Sequence, residues 1–397
     1  MPELSIFRSP GRPAAIHPTR RAVAAGLASL AGAQAAPSFA RAAADDSLDA
    51  LAGRKGIRFG SAVGIGPPDR SAFDDPGYRA LVARECGLIV AENEHKWYVL
   101  RPSADRYDFS RADRLAAFAR ENGLGLRGHT LLWNRDEYSA RWLPSHDFGA
   151  RPQSAAERMV TDHVRTVAGR YADQIDSWDV VNETIDPATG ELRATVLGKI
   201  LGPELIDLCF HTARVTVPKA RLVYNDYMNF GPKEATHRAG VLKLLEGLKA
   251  RGAPIDALGI QGHIGGGVDS DDVAIFSKAD QSEWRAFIDE VRGMGLDLLI
   301  TELDVNDKAM PGDAAARDAA VASLTRDFLD LMLDYPQTKQ VLVWGMADPY
   351  SWLQGTSARA DGLPKRPLPY DAQLRPKPMR EAIAAAFRSA PNREAWT

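Results

Sequence analysis

Ile175-Asp176-Ser177-Trp178-Asp179-Val180-Val181-Asn182-Glu183 is the stretch on which the fold turns. Ile175 to Val181 has the length and apolar character of a buried strand, and it stops at an amide and a carboxylate. Seven other short apolar runs share that form: Ile57 to Val63, Gly87 to Ala91, Leu124 to Leu132, Arg221 to Tyr224, Ala257 to Ile260, Leu296 to Ile300 and Gln340 to Trp344. Amphipathic helical stretches lie between most of them, among them Arg114 to Glu121, Ala155 to Tyr171, Ala235 to Lys249 and Asp318 to Leu333. Strands alternating with helices predict a parallel sheet. Eight such units in one chain predict an α/β fold, a closed (β/α)₈ TIM barrel forming a single domain.

The residues at the C-terminal end of each run point to a site. Strand two ends in Glu92-Asn93, strand three in His129 and Trp133, and strand four in Asn182-Glu183. Strand five ends in Asn225-Asp226-Tyr227, strand six in Gln261 and His263, strand seven in Glu302 and Asp304, and strand eight in Trp344 and Asp348. In a barrel all C-terminal strand ends meet on one face, where active sites are built. Buried polar residues scattered at random would not favour strand ends so consistently.

The rest of the chain narrows the class. Lys and Arg number 49 and Asp and Glu 52, so the net charge is −3. No basic excess is present to hold a nucleic-acid backbone or an acidic membrane. Two cysteines, Cys86 and Cys209, exclude a disulfide framework and a Cys-based metal site. Their apolar surroundings suggest buried thiols, although export would permit a disulfide. Residues 1–44 read as an export segment: Arg20-Arg21 of the twin-arginine kind, then a small apolar run from Ala22 to Ala33 and Ala-rich cutting sites. Five of the basic residues and one of the acidic residues lie there, so its removal takes the net charge from −3 to −7. The apolar run is shorter than the ~20 residues that span a bilayer, and the mature chain, 45–397, is expected to be exported and free of the membrane. Gly265-Gly266-Gly267 is not followed by Lys-Ser/Thr and is no phosphate loop.

Glu183 and Glu302 end strands four and seven, on opposing sides of a barrel mouth. Cleavage of a glycosidic bond needs an acid for the leaving oxygen and a carboxylate for the developing positive charge, and such a pair can supply both. The competing use is a divalent metal, as in sugar isomerases, which wants carboxylates and His clustered as ligands. Asn, Gln, His and Trp dominate these strand ends and suit hydroxyls and sugar faces better, so no metal and no cofactor is expected. A line from Asp304 through His263 to Glu302 would orient the Glu302 carboxylate. The flat faces of Trp133, Trp344 and Trp352 suit the C–H faces of sugars, whereas Trp97 and Trp178 read as packing.

These motifs together resemble glycoside hydrolase family 10, the retaining endo-β-1,4-xylanases, from about Gly56 to Ala386. Glu92-Asn93-Glu94-His95-Lys96-Trp97 is similar to the strand-two motif and Arg127-Gly128-His129-Thr130-Leu131-Leu132-Trp133 to the strand-three motif. Trp178 to Glu183 is similar to the acid/base motif and Ile300-Thr301-Glu302-Leu303-Asp304 to the nucleophile motif. The resemblance implies that Glu183 is the acid/base, Glu302 the nucleophile, and Asn182 the holder of the sugar 2-hydroxyl. It implies that Glu92, Asn93, Lys96, His129, Trp133, Trp344 and Trp352 line the glycone side, with Tyr227, Gln261 and His263 also facing substrate. Retaining chemistry calls for carboxyls about 5–5.5 Å apart. The substrate would be xylan or xylo-oligosaccharides, and a monomer is expected. One departure is clear: Trp133 is followed by Asn134-Arg135-Asp136 where the family usually has His-Ser-Gln. Asp136 thus stands where a glutamine commonly contacts sugar. Two other readings compete, a retaining barrel acting on another β-1,4 glycan and a non-catalytic sugar-binding barrel. Both catalytic carboxylates are present, which speaks against the second.

Overall fold

Each of the eight apolar runs becomes a strand: β1 Arg58–Val63, β2 Leu88–Ala91, β3 Gly125–Trp133, β4 Ile175–Asn182, β5 Arg221–Asp226, β6 Ala257–Ile260, β7 Asp297–Val305 and β8 Thr338–Val343. The computed structural model describes residues 46–66, 71–265 and 272–396, so the proposed export segment lies outside the described residues. Every ladder is parallel, and consecutive strands pair. β1 also pairs with β8, Gly60 opposite Leu342, which closes the ring. The expected (β/α)₈ barrel is what the chain forms.

One main helix comes after each strand: α1 Pro76–Glu85, α2 Ser110–Glu121, α3 Pro152–Arg170, α4 Glu204–Thr216, α5 Ala235–Ala250, α6 Lys278–Gly293, α7 Ala314–Leu333 and α8 Pro378–Ser389. Their starts are written locally. Asp75 accepts from the Gly77 and Tyr78 N–H groups and Pro76 opens α1. Ser277 and Asp280 form a capping box at α6. The outer faces of the strands pack against these helices in one large core, in which Trp97 and Trp178 are buried as expected. Cys86 and Cys209 are buried thiols with no disulfide between them.

The strands differ from expectation at their C-terminal ends. β5 runs two residues further, through Asp226, and β7 five further, through Val305. Hydrophobic runs mark where side chains are buried in apolar surroundings. The backbone goes on pairing after the side chains turn polar: His263-Ile264 forms a two-residue strand against Asp304-Val305. Glu302 and Asp304 therefore sit within a strand, on rigid backbone, rather than on a loop after it. Glu183 comes directly after β4, and its N–H donates to the Asn225 carbonyl at 3.0 Å.

Candidate active site

All the residues expected to serve catalysis, binding or orientation line one cleft of about 900 Å³ at the C-terminal ends of the strands. Glu183 has a φ of 52°, in the left-handed region that a β-carbon disfavours. Its side chain is 8% exposed. Oε1 accepts from Gln261 Nε2 at 2.9 Å and Asn182 Nδ2 at 3.3 Å, and Oε2 accepts from Arg135 Nη1 at 3.1 Å.

Glu302 is 5% exposed and held from both sides. Asn225 Nδ2 donates to Oε1 at 2.8 Å, and His263 Nε2 lies 3.2 Å from Oε2. His263 Nδ1 is 2.9 Å from Asp304 Oδ1, and the indole of Trp352 donates to Asp304 Oδ2 at 2.7 Å. The line from Asp304 through His263 to Glu302 is thus formed. Burial alone would raise the Glu302 carboxyl, but the His263 hydrogen bond and the charges of His129, His263 and Lys96 hold it down at about 2. Burial opposes charge on His263 too, and the Asp304 and Glu302 carboxylates raise it to about 10. The two shifts describe one coupled pair. Its direction is a carboxylate facing an imidazolium.

Amides join the two carboxylates. Asn182 Oδ1 accepts from Asn225 Nδ2 at 2.9 Å and from Gln261 Nε2 at 3.3 Å. Thr301 Oγ1 donates to Asn225 Oδ1 at 2.7 Å and fixes which way that amide faces. In the sequence Asn225 stands at a strand end, but only its neighbour Tyr227 is read there as a substrate contact. A position between two carboxylate-bearing strands is its signal.

The strand-two and strand-three residues form a second wall. Lys96 Nζ reaches Asn93 Oδ1 at 3.3 Å and lies 4.4 Å from the centre of the Trp133 ring. Tyr98, which no motif points to, donates to the same Asn93 oxygen at 2.6 Å. Burial, then the Glu94 charge, push Glu92 up to about 7 against the pull of Lys96. His129 Nδ1 lies 2.8 Å from Asp179 Oδ2, and Asp179 pairs through both oxygens with buried Arg127. That support behind His129 is invisible in sequence, because Arg127 and Asp179 fall within apolar runs. Trp344 meets His129 edge-on at 5.4 Å. One face of Trp133 is taken by Tyr138, stacked at 4.2 Å, so this tryptophan offers less open ring than expected.

The three residues of the Asn134-Arg135-Asp136 departure are placed differently from one another. Asp136 is no cleft residue: both its oxygens accept from the Val196 N–H, at 3.0 and 3.1 Å. Asn134 is buried between Thr184 and Thr195. Of the three, Arg135 lines the cleft. Asp348, five residues beyond β8 in a short 3₁₀ turn, pairs with Lys377 at 3.0 Å and serves structure. Among the described residues, no group of three or more His, Cys, Asp or Glu side chains is placed to hold a metal ion. No helix of those residues is long and apolar enough to cross a membrane.

A closed (β/α)₈ barrel that carries two facing carboxylates among amides, histidines and tryptophans has the architecture of a barrel glycoside hydrolase. Comparison with known proteins narrows this: the family model for glycosyl hydrolase family 10 matches residues 47–386, and the chain belongs to that family. Endo-1,4-beta-xylanase 1 of Humicola insolens is 30% identical over 358 residues, 88% of this chain and 76% of that protein. Endo-1,4-beta-xylanase B of Paenibacillus barcinonensis is 31% identical over 309 residues, 75% of this chain and 87% of that protein. Xylanase 10B from Thermotoga petrophila RKU-1, solved in complex with xylobiose, superposes with a TM-score of 0.74 at 28% identity, covering 86% of this chain and 97% of that one.

Proposed function

We propose that this glycoside hydrolase is an endo-1,4-β-xylanase that cuts internal xylosidic bonds by retaining double displacement. The observation that carries the reading is the asymmetry between the two carboxylates. Glu302 is held as an anion by His263 and Asn225, the form a nucleophile needs. Glu183 takes its hydrogen bonds from the neutral amides Gln261 and Asn182, with Arg135 on its outer oxygen.

In the first step a Glu302 oxygen attacks the anomeric carbon while Glu183 gives its proton to the departing glycosidic oxygen. The C–O bond breaks and a glycosyl ester forms on Glu302. In the second step Glu183 takes a proton from water, the hydroxide oxygen attacks the anomeric carbon, and Glu302 leaves as a carboxylate. Asn182 holds the 2-hydroxyl, and Glu92, Asn93 and Lys96 bind the next sugar on the glycone side. The names of the relatives and the xylobiose seen in one of them support xylose over glucose. Residues 1–44 serve export, and the enzyme acts as a monomer on xylan and xylo-oligosaccharides.

The test is reducing-sugar release from xylan by the wild type and by Glu302→Ala. Activity in the first and a loss of several orders of magnitude in the second is the expected result. Comparison of aryl xylobioside with aryl cellobioside separates the other glycan reading, which a cellobioside preference would establish.

A further inference from the structure

Two arginines flank the proposed acid/base. Arg135 donates through Nη1 to Glu183 Oε2 at 3.1 Å, and through Nε and Nη2 to Glu137 Oε1 at 2.8 and 2.6 Å. Its guanidinium lies 4.8 Å from the centre of the Tyr138 ring, which in turn stacks on Trp133. Among the described residues three of its five N–H groups are engaged in this way, leaving one on each terminal nitrogen without a partner there. Arg193 donates through Nε to the Glu183 carbonyl at 3.0 Å and through Nη2 to the Tyr227 hydroxyl at 2.7 Å. Arg135 and Tyr227 both line the cleft.

The charges in this corner do not balance during the reaction. When Glu183 carries the proton that it must donate, two guanidinium groups face, among the described residues, one carboxylate, that of Glu137. The Glu137 side chain is 54% exposed, so water screens it. One positive charge is therefore in excess in this corner, while Glu302 and Asp304 in the same cleft are matched by His263 and Lys96. Unbranched xylan, which is neutral, has nothing to pair with it. A carboxylate does: arginine donates two parallel N–H groups to it in a charge-assisted pair. Packing against Tyr138 and Glu137 already orders the Arg135 side chain, so little freedom is lost on binding.

We propose that Arg135, with Arg193 behind it, makes this site selective for xylan bearing acidic branches, a uronic-acid carboxylate carried on a xylose next to the scissile bond. The inference rests on the xylanase reading and names its substrate class more narrowly.

Three xylo-oligosaccharides of equal backbone length provide the test: unbranched, carrying one uronic-acid branch, and carrying the same branch as its neutral methyl ester. Steady-state kcat/KM is measured on each with the wild type, Arg135→Gln and Arg135→Lys. The ratio of acid to ester is taken within each protein, so any effect of the substitution on Glu183 cancels. The wild type is expected to favour the acid over the ester by about tenfold or more, the worth of one charge-assisted hydrogen bond. Arg135→Gln should bring that ratio close to one, and Arg135→Lys should leave it in between. Added salt should shrink it in the wild type. Equal use of acid and ester by the wild type, or a preference that survives in Arg135→Gln, overturns the inference. If none of the three oligosaccharides is cut, it is the xylanase reading that has failed. Cleavage of the unbranched chain without an acid preference defeats the role of Arg135 alone.

Discussion

At the scale of single residues, the two carboxylates are set up by different means. Glu183 is placed by backbone: its left-handed φ swings the chain off β4 at a cost of about 1–3 kcal/mol. That cost is separable from the chemistry. Glu183→Ala and Glu183→Gly should both lose about 10²–10⁴-fold on xylan, the usual share of a general acid. The glycine variant, freed of the β-carbon, should be about 1 kcal/mol more stable than the alanine variant in chemical denaturation. Glu302 is placed by charge, and His263 is the lever. A carboxyl lowered from 4.5 to about 2 contributes stability above pH 4.5 and loses it as the pH falls through 2. An imidazole raised from 6.5 to about 10 contributes below pH 6.5 and loses it as the pH rises through 10. The pair is fully in force between pH 4.5 and 6.5. His263→Gln should therefore cost about 2–3 kcal/mol in that window, below the range of about 3–5 kcal/mol for a fully buried pair because the His263 side chain is 20% exposed, with the gap narrowing towards pH 10. The acid limb of kcat/KM should also move up from about 2 towards 4.5, which a merely structural histidine would not do.

At the scale of elements, the sequence was readable where side chains and backbone change together and opaque where they do not. Eight apolar runs found eight strands, because a strand between helices and barrel interior is apolar along its length. Their ends were harder to place, because Glu302 and Asp304 are polar yet still paired in β7. The site residues were readable as types at strand ends. Their partners were not: Asn225, Arg127 and Asp179 act across strands, and pairing distance is a property of the closed barrel. Asp136 shows the reverse error. Its place in the motif suggested a sugar contact, but the N–H of Val196, sixty positions later, claims its carboxylate. β6 carries a less visible contribution. A β-carbon at Gly259 would stand 2.4 Å from Asn225 Oδ1 and 3.1 Å from Thr301 Cγ2, so this glycine makes room for the amide that holds Glu302. Gly259→Ala should destabilise the barrel by about 1–3 kcal/mol through overpacking. It should also lower kcat on aryl xylobioside more than it raises KM, because Asn225 grips Glu302, the proposed nucleophile, and not the distal sugar. A change in KM alone would refute that assignment.

At the scale of the whole molecule, the barrel interior has two characters. Small apolar clusters fill it between β1, β2 and β8, with Ala62, Leu88, Val90 and Leu342, and between β5, β6 and β7, with Val223, Ala257 and Leu299. Between β3 and β4 it is ionic: Arg127 and Asp179 are 1% and 0% exposed and pair through both carboxylate oxygens. A buried pair of this kind gives little net stability against an apolar replacement, because both ions had to leave water. Its place in the barrel is next to the cleft, where the same Asp179 carboxylate holds His129 Nδ1 at 2.8 Å. The barrel thus gives up apolar packing beneath the site to fix one ring at its mouth. The two effects part in a mutant cycle. Arg127→Met alone leaves the buried Asp179 carboxylate with only the His129 ring as partner and should cost about 3–5 kcal/mol. Arg127→Met combined with Asp179→Leu should regain most of that stability in urea denaturation. It should not regain kcat/KM, because His129 has lost the carboxylate that orients it. If the double variant recovered activity along with stability, the ion pair would be serving the fold alone, and His129 would owe its orientation to Trp344.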